Sequence, residues 1–357
     1  MKIGKIDAGK FKLELVQPIE IALGTIPYSE TVIVRIETED GLLGYGEGSG
    51  IPFVTGENSD TILSAVQELK KVLIGMEVFA IADIHKKMDA VLCHNTSAKA
   101  AIDIALYDLM GKYLKMPLYR YLGGVRKQLE TDMTIGISSP ERMSREAVQM
   151  VKNGFHYIKV KAGIDPQQDI RAVQKIREAV GEEIHMKVDA NQGWHTKEAV
   201  GIIEKMASFG VDIIEQPCKD WDIEALAFIR SKTTLNIMAD ESCFSPSDAM
   251  KLIKNNAVDS MNIKLMKCGG IYPAIQINTI AEAAGVICMV GCMMESRLGI
   301  TAGASLIASA DNIIFSDLDS FLYLRDQEQI QGGFESDGPY LTLTDAYGLG
   351  VQVTYGS

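Results

Sequence analysis

Charged residues close four apolar runs at a near-constant spacing in the middle of this chain. They are Asp189 after IHMKV, Glu215 after VDII, Asp240 after LNIMA and Lys264 after SMNI. The steps are about 25 residues, close to one strand, one helix and their loops, since a crossover unit needs roughly 30 residues. A charge at the end of a buried strand is costly unless it is paired or binds a metal. The repeat therefore predicts a ring of parallel strands whose carboxyl ends face one site.

Composition restricts the class of protein. With 357 residues the chain exceeds a typical single domain, so we expect a barrel with an added domain or two ordinary domains. The net charge of −12 argues against nucleic acid or an anionic membrane as a partner. No apolar run reaches the roughly 18 residues of a membrane span, and the first residues alternate, unlike a signal peptide. The six cysteines have no paired metal spacing, so we expect a cytoplasmic protein with reduced thiols.

The chain divides into three regions of different pattern. Residues 1–125 read as strand runs followed by helices, which is typical of an α+β domain. In residues 126–320, eight strand runs alternate with helical stretches, as in a TIM barrel. An open doubly wound sheet is the alternative, although it normally has fewer strands. The segment 321–357 contains the strand-like YLTLT and GVQVTY and is predicted to return to the first domain.

Asp189, Glu215 and Asp240 are candidate metal ligands. At the carboxyl ends of neighbouring barrel strands, three carboxylates would point at one volume and raise one another's pKa values. A hard divalent cation relieves this repulsion, and an all-oxygen set with open positions suits Mg²⁺ or Mn²⁺ and not zinc. One such acid alone is often a helix cap, but three at a common spacing, within DAN, EQP and ADES, favour a metal centre.

Lys159 and Lys161 stand at i and i+2 of the run YIKVK, so they face the same side of a strand. Two inward ammonium groups lower each other's pKa, which makes one of them usable as a general base. A solvated pair on an edge strand is the alternative, and it fits poorly with the second strand of a closed barrel. Lys264 ends the sixth strand run, opposite the second in a ring of eight. Lys161 and Lys264 are therefore predicted to flank a metal-bound substrate and to invert a stereocentre.

Together these motifs resemble the enolase superfamily in its muconate-lactonising subgroup. The matching pieces are KVK (159–161), DAN (189–191), EQP (215–217), ADES (239–242) and NIKLMKCGG (262–270). The resemblance covers nearly the full length and implies an α/β fold, a modified (β/α)₇β TIM barrel under an N-terminal α+β capping domain. It also implies abstraction of a proton α to a carboxylate, through an enediolate stabilised by Mg²⁺.

Roles follow from the resemblance position by position. The resemblance implies one Mg²⁺ per subunit, which Mn²⁺ could replace. The implied roles are metal ligands for Asp189, Glu215 and Asp240, acid–base catalysis for Lys161 and Lys264, tuning of the base for Lys159, and support of the ligand set for Asn191.

The last strand run, FSDLDSFL, separates the activities of this subgroup. Asp317 and Asp319 are at i and i+2 and are predicted to face the pocket together; the alternative is that one of them caps a turn. Two carboxylates beyond the metal ligands suit a cationic group, such as the free α-ammonium of a dipeptide. This Asp-x-Asp resembles the dipeptide epimerases. The predicted function is therefore two-base inversion of the α-carbon of a dipeptide's C-terminal residue.

Selection of the substrate side chain falls in this subgroup to loops of the capping domain, here residues 18–30 and 50–56. A substrate ending in Glu would need an Arg or Lys there, but Gly24 and Thr25 occupy the first loop and Phe53 the second. We therefore predict an uncharged or hydrophobic second residue rather than Glu. Cationic dipeptides are the alternative if an acid of these segments reaches the pocket; the candidates are Glu20, Glu30 and Glu57.

Glu295, in GCMMES after the seventh strand run, is a further candidate for substrate binding. It either hydrogen-bonds a base or the substrate, or begins the next helix, where an acid is favoured.

Other reactions of the same scaffold are alternatives to the predicted function. Muconate cycloisomerase, o-succinylbenzoate synthase and N-acylamino acid racemase would use the same lysines and metal. A catalytically idle barrel is an alternative of another class, although every expected ligand and base position is filled. Since barrels of this kind often self-associate, we expect a homo-oligomer that acts on a small dipeptide, without a nucleic-acid or membrane partner.

Overall fold

The computed structural model describes residues 1–16, 18–26, 28–325 and 328–354. Two residues of predicted segments, Pro27 in the first loop and Tyr355 in the tail, lie outside the described residues. The strands are β1 (Ile3–Leu13), β2 (Ile19–Ile21), β3 (Gly24–Ile26), β4 (Ser29–Thr38), β5 (Leu43–Gly48), β6 (Gln128–Glu130), β7 (Met133–Ile135), β8 (Tyr157–Lys161), β9 (His185–Asp189), β10 (Ile213–Glu215), β11 (Asn236–Ala239), β12 (Ser260–Lys264), β13 (Ile287–Gly291), β14 (Ile313–Asp317), β15 (Ile330–Gly332), β16 (Phe334–Asp337), β17 (Tyr340–Leu343) and β18 (Val351–Val353). The helices are α1 (Ser59–Leu73), α2 (Ile81–Val91), α3 (Thr96–Leu114), α4 (Leu118–Tyr121), α5 (Pro140–Lys152), α6 (Pro166–Val180), α7 (Thr196–Ala207), α8 (Ile223–Arg230), α9 (Pro246–Lys254), α10 (Leu265–Cys268), α11 (Ile271–Ala283), α12 (Arg297–Ser309) and α13 (Ser320–Tyr323).

An antiparallel sheet of order β1-β4-β5 forms one layer of the amino-terminal domain, and helix α3 packs across it. Alternate residues of β5 are glycines, which allows the helix backbone to lie directly on the strand. A Cβ atom added at Gly46 would collide with the carbonyl oxygen of Ala101 on α3. Nearly all of α3 is buried, because the sheet covers one side and the barrel covers the other. This α+β layer is the predicted capping domain, which we call the cap.

Eight parallel strands, β7 to β14, stand side by side in chain order and form the barrel. Their runs are rich in Ile, Val and Met, which suits strands covered by helices. The predicted TIM-like fold is therefore confirmed. Several covering helices start at a capping residue followed by proline, which fixes the first turn. These starts are Ser139-Pro140, Asp165-Pro166 and Ser245-Pro246.

The first and last barrel strands meet at a boundary that we call the seam. Strands β7 and β14 are not paired as a ladder in the described sheet. A backbone hydrogen bond from Asp132 N to Ser316 O, 3.1 Å long, crosses the seam. The side chain of Thr131 adds a second link, because its Oγ1 accepts from Leu318 N at 2.8 Å. The barrel is thus nearly closed. Strand pairing does not join β7 to β14, and the Thr131 side chain supplies one of the links across the seam.

The structure corrects three expectations about local structure. Residues 18–30, predicted as a loop, contain the hairpin β2-β3. Helix α5 was not predicted, because its sequence PERMSREAVQMVK is strongly polar and buries only a narrow stripe that includes Met143, Ala147 and Met150. Strand β6, within the predicted barrel region, instead pairs with β17 of the tail.

The tail after α13 contacts both parts of the molecule. Leu118 N of the cap donates to Gly348 O at 2.7 Å, and Leu15 bridges to Leu324. The domain boundaries at 125 and 320 stay predictions. None of the helices in the described ranges is long and apolar enough to cross a bilayer.

Candidate active site

Asp189, Glu215 and Asp240 lie together at the carboxyl ends of consecutive barrel strands. Asp189 and Glu215 end β9 and β10, and Asp240 follows β11 directly. One carboxylate oxygen of each lies within 4.8 Å of the others, and all three side chains are buried. We call this group the metal triad. Its donors are all carboxylate oxygens, so the residues present fit a hard divalent cation.

Lys161 and Lys264 approach the metal triad from two different strands. Lys161 Nζ is 2.7 Å from Asp189 Oδ2, and Lys264 Nζ is 2.8 Å from Asp240 Oδ2. Their strands, β8 and β12, are second and sixth in the barrel order. Burial would lower the pKa of Lys264, but the negative charge of Asp240 outweighs it and raises this pKa. The two amines thus contact different carboxylates of the metal triad.

Lys159 lies on the same face of β8 as Lys161, as predicted. Its amine lies between carboxylates of different strands. Its Nζ lies 2.7 Å from Asp317 Oδ2 and 3.0 Å from Glu215 Oε2. Burial lowers the pKa of Lys159, yet the charges of Asp189 and Asp317 raise it well above its usual value. The predicted depression of the Lys159 pKa is therefore wrong, because neighbouring carboxylates outweigh the neighbouring lysine.

Asn191, two residues after β9, ties the triad to its neighbours. Its backbone has a φ of 40°, in the left-handed region, and its N–H donates to Asp189 Oδ1 at 2.9 Å. Its Oδ1 accepts from Lys161 Nζ at 3.0 Å, while its Nδ2 donates to Glu241 Oε1 at 3.0 Å. Burial, followed by the charge of Asp240, raises the pKa of Glu241 to about 7. The structure places Asn191 where a supporting role was predicted.

Two further residues, Gln216 and Lys267, hold the loop after β11. Gln216, in EQP, accepts hydrogen bonds from Asp240 N at 2.9 Å and Ser242 N at 3.0 Å. Lys267 is fully buried, and its Nζ lies 2.7 Å from Asp240 Oδ1 and donates to Cys243 O at 3.1 Å. Both residues lie within motifs that the sequence shows, EQP and NIKLMKCGG, and these motifs were the sequence signal for them. They fix Asp240 relative to the barrel.

Asp317 and Asp319 lie together, but not for the predicted reason. Asp317 ends β14, whereas Asp319 has helical backbone angles, φ −95° and ψ −6°, and precedes α13 without capping it. Strand alternation therefore does not place the pair. With Asp132 they form a second buried group whose carboxylate oxygens lie within 4.8 Å of one another. We call this group the seam triad.

Two of the three carboxylates in the seam triad lie next to a lysine. Lys187 Nζ is 2.9 Å from Asp132 Oδ2, and Lys159 Nζ is 2.7 Å from Asp317 Oδ2. Burial and the charge of Asp317 raise the pKa of Asp132 well above its usual value. Burial also acts on Asp317, but the lysines outweigh it and hold its pKa well below the usual value. Lys187 was missed, although its position two residues before Asp189 predicts the same inward face.

Glu295 is held by its own loop and by the cap. It precedes Ser296, the capping residue of α12, and its Oε2 accepts from Met293 N at 2.5 Å. Glu47, on β5 of the cap, accepts from Ser296 N and Gly299 N, each at 2.8 Å. Burial, followed by the charge of Glu47, raises the pKa of Glu295 to about 8. Glu47 had no signal in the sequence, since it lies in an ordinary strand run.

A cavity of about 270 Å³ lies between hairpin β2-β3 and residues 50–56. Thr25, Phe53 and Met294 line it, and the described lining residues include no Lys or Arg. Gly24 has a φ of 151°, and a Cβ there would lie 3.3 Å from the Phe53 ring. The remaining lining residues are Ile26, Tyr28, Ser29, Glu30, Ser49, Gly50, Ile51, Pro52, Asn58 and Ser59.

The three acids named for cationic dipeptides differ in position. Glu57 is buried under α3, where it accepts from Ser97 N at 2.9 Å, so it does not reach this cavity. Glu30 lines the cavity, but its carboxylate lies 3.2 Å from Lys10 Nζ. Glu20 is exposed on β2. The lining thus presents one carboxylate, which already has a cation beside it.

Two other cavities surround the barrel mouths. One, of about 480 Å³, reaches Lys161 and is lined by Ile137 and Ile164 among others. Hairpin β2-β3 adjoins it, because Ile137 N donates to Glu20 O at 2.9 Å. A second, of about 460 Å³, is lined by the first residues of barrel strands, such as Tyr157, at the opposite mouth. The predicted residues gather at the carboxyl-terminal mouth, where barrel enzymes place their active sites.

Two families match the chain in succession. Residues 8–123 match the mandelate racemase / muconate lactonizing enzyme N-terminal domain, and residues 142–356 match the enolase C-terminal domain-like family. A hydrophobic dipeptide epimerase from Enterococcus faecalis is 45% identical over 353 residues, covering 98% of this chain and 99% of that protein. An L-Ala-D/L-Glu epimerase from Clostridium acetobutylicum is 39% identical over 355 residues, covering 99% of each.

The solved structures agree with this pattern. A dipeptide epimerase from Enterococcus faecalis, complexed with Mg and the dipeptide L-Leu-L-Tyr, has a TM-score of 0.96 and 45% identity, covering 99% of this chain and 100% of that chain. The resemblance drawn from the motifs is confirmed. The chain therefore belongs to the enolase superfamily, as an enzyme of the mandelate racemase and muconate lactonizing group that is related to dipeptide epimerases.

Proposed function

We propose that this protein is a Mg²⁺-dependent dipeptide epimerase that inverts the α-carbon of the C-terminal residue through Lys161 and Lys264. The observation that carries the proposal is the placement of these two amines, 2.7 Å and 2.8 Å from different carboxylates of one metal triad. A second group of carboxylates lies beside them, as a substrate with a free ammonium group requires.

The metal triad would hold the ion. Bound there, Mg²⁺ would supply positive charge that stabilises the negative charge developing on the substrate carboxylate as the α-proton leaves. Asn191 and Lys267 keep Asp189 and Asp240 in position, through contacts of 2.9 Å and 2.7 Å. The ligands are thus oriented before the substrate arrives, which lowers the reorganisation cost of the reaction.

The two lysines exchange roles between the two directions of the reaction. Lys161 in its neutral form accepts the α-proton from one face, which leaves a planar enediolate. Lys264 in its protonated form then donates a proton to the opposite face, and the configuration is inverted. The reverse reaction starts with Lys264 as the base. Asp189 and Asp240 lie beside the two amines and hold them next to the metal triad.

Asp317 and Asp319 would receive the ammonium group of the first residue. They lie at the end of β14 and at the start of α13, on the same mouth of the barrel as the metal triad. Muconate and succinylbenzoate have no ammonium group to pair there. This pair therefore favours a dipeptide over these alternative substrates.

The cavity beside Phe53 would accept the side chain of the second residue. Ile26, Ile51, Phe53 and Met294 give it an apolar lining, and no cation lines it within the described residues. A Glu side chain would be desolvated there beside the carboxylate of Glu30 and with no cation in the described lining, which is costly. We therefore propose an uncharged or hydrophobic second residue, and the name of the Enterococcus faecalis relative supports this preference.

Proton NMR in D₂O tests the proposal directly. The enzyme with Mg²⁺ is given L,L-dipeptides that vary at the second residue, and both deuterium at that α-carbon and the new diastereomer are measured. We expect both for hydrophobic residues. Ala-Glu as the best substrate would overturn the preference. No exchange across a broad panel by a protein that binds Mg²⁺ would overturn the epimerase and favour N-acylamino acids, muconate or succinylbenzoate.

Single lysine variants test the two-base assignment. Lys161→Ala and Lys264→Ala should each lose epimerisation by about a thousandfold or more, while either can still exchange the α-proton of one enantiomer. Lys175→Ala, which removes a half-exposed lysine of α6, is the control and should keep full activity. Full epimerase activity in either catalytic variant would show that the assignment is wrong.

A further inference from the structure

Asp319 is held across the seam by an arrangement that replaces strand pairing. Thr134 lies in β7, and its N–H points at the seam instead of at a ladder partner on β14. This N–H donates to Asp319 Oδ2 at 2.8 Å and to the hydroxyl oxygen of Tyr323 at 2.9 Å. A carboxylate and a phenol thus occupy the place of the missing strand.

Tyr323 closes this arrangement into a ring. Its hydroxyl donates to Thr134 O at 2.5 Å and lies 3.2 Å from Asp319 Oδ2. Burial, followed by the charge of Asp319, raises the pKa of Tyr323 well above its usual value, so the hydroxyl keeps its proton. The peptide group of Thr134 is therefore clamped on both its N–H and its C=O side. Its N–H is thereby held against Asp319 Oδ2 and the Tyr323 oxygen.

The ring leaves one oxygen of Asp319 for a ligand. Oδ2 is taken by Thr134 and Tyr323, whereas Oδ1 lies 3.7 Å from the thiol of Cys292, a weak donor. Asp317, the other candidate for the ammonium group, is already paired with Lys159 at 2.7 Å. Lys187 Nζ also lies 3.6 Å from Asp317 Oδ2, whereas no lysine forms a salt bridge with Asp319 within the described residues, so of the two acids Asp319 is the one without a competing cation.

We propose that Tyr323 is a positioning residue, which acts through Thr134 to aim Asp319 Oδ1 at the ammonium group of the substrate. The inference rests on the proposed dipeptide epimerase function. Without the phenol hydroxyl, a single hydrogen bond joins the Thr134 peptide to the Asp319 carboxylate, and the hydroxyl's contacts with Thr134 O and Asp319 Oδ2 are lost. Recognition of the ammonium group should weaken, while the metal triad and the two lysines are untouched.

A pair of ligands that differ only in the ammonium group tests this role. L-Ala-L-Leu and N-propionyl-L-leucine have the same length, but the second lacks the ammonium group. Calorimetry with Mg²⁺ gives the affinity of the wild type and of Tyr323→Phe for both. We expect the wild type to prefer the dipeptide and Tyr323→Phe to lose roughly tenfold of that preference. We also expect a higher KM for epimerisation, with kcat changed less than about threefold.

Tyr119→Phe is the matched control. Tyr119 is a buried tyrosine of the cap whose hydroxyl donates to Asp345 at 3.0 Å, so its loss removes a similar hydrogen bond far from the seam. The preference for the dipeptide should be unchanged in this variant. An equal loss of affinity for both ligands in Tyr323→Phe would indicate a merely structural role and would overturn the proposal, as would an unchanged preference.

A double variant shows whether Tyr323 acts through Asp319. In an Asp319→Asn background, Tyr323→Phe should change the preference between the two ligands no further, since the group that it positions is gone. An additional, independent loss would refute the proposed route. If the wild type itself neither binds nor epimerises any dipeptide, the proposed function fails and this inference falls with it.

Discussion

The metal triad and the seam triad are two buried groups of three carboxylates in one barrel, and they differ in what surrounds them. In both, the oxygens lie within 4.8 Å of one another, and both contact the same amine, Lys159. The metal triad stands at the ends of adjacent strands, with lysines on several sides. The seam triad fills the gap between the first and last strands, and backbone and tyrosine groups hold one of its members.

This difference in surroundings changes the pKa values of individual carboxylates in the two triads. Burial raises the pKa of Asp189, but Lys159 and Lys161 outweigh it and lower this pKa to about 2. In the seam triad, burial and the charge of Asp317 instead raise the pKa of Asp132. In the metal triad the lysines thus favour the ionised form of Asp189, whereas in the seam triad they hold Asp317 ionised and Asp132 has a raised pKa. A cluster of acids alone does not define a metal site, because the neighbouring charges decide its state.

The largest expected effect separates the triads by metal affinity. Asp240→Asn removes a ligand charge and should weaken Mg²⁺ binding by about a thousandfold, which calorimetry measures. Asp132→Asn is the matched change in the seam triad and should leave Mg²⁺ affinity within about threefold of the wild type. A comparable loss in both variants would show that the two triads act as one metal site.

The next effect concerns the substrate. Asp319→Asn removes the carboxylate proposed for the ammonium group and should lower kcat/KM for dipeptides by about a hundredfold. Mg²⁺ affinity should stay unchanged, because Asp319 is not in the metal triad. Turnover assays and calorimetry on the same preparation check both statements. Unchanged dipeptide kinetics would remove the seam triad from the substrate site.

Replacing a buried lysine should cost different amounts of unfolding free energy at the two triads. Lys267→Met removes the buried amine beside Asp240 Oδ1 and Cys243 O, and it should cost about 3–5 kcal/mol of unfolding free energy. Lys187→Met leaves Asp132, whose raised pKa lets it hold a proton, and should cost only about 1–2 kcal/mol. Urea unfolding measures both. Equal losses would contradict the different protonation of the triads.

The smallest effect is a pH dependence of stability. Folded Asp132 keeps a proton where the unfolded chain, in which this carboxyl has its ordinary pKa of 3.8, has released it. The folded state then binds more protons, so this group makes stability fall as pH rises above about 4. Asp132→Asn cannot titrate, so between pH 5 and 8 its stability should fall less than that of the wild type.

Urea midpoints at pH 5, 6.5 and 8 measure this difference. Asp83→Asn, at an exposed acid of α2, is the control and should follow the wild type. Identical pH profiles for Asp132→Asn and the wild type would show that Asp132 is ionised in the folded protein.

Local sequence patterns were sufficient to predict most of the fold and the grouping of the three acids in the metal triad. Strands β9 to β12 each end at or beside a charged residue, and alternation along YIKVK correctly places Lys159 and Lys161 on one face. The hairpin β2-β3 escaped prediction because each strand has only three residues, too few for a period to appear. Helix α5 escaped because its buried stripe is narrow and its remaining surface is highly charged.

The amino-acid sequence by itself determined the order of the barrel strands, the residue types at their ends and, through them, the family. These features depend on spacing within about 25 residues, which the chain shows directly. Only the tertiary structure decided which carboxylates are paired and which remain available to a ligand. Thr134 and Asp319 are 185 residues apart in sequence, and Lys159 and Asp317 are 158 apart. No local period encodes such contacts, because they arise only when the last strand closes against the first.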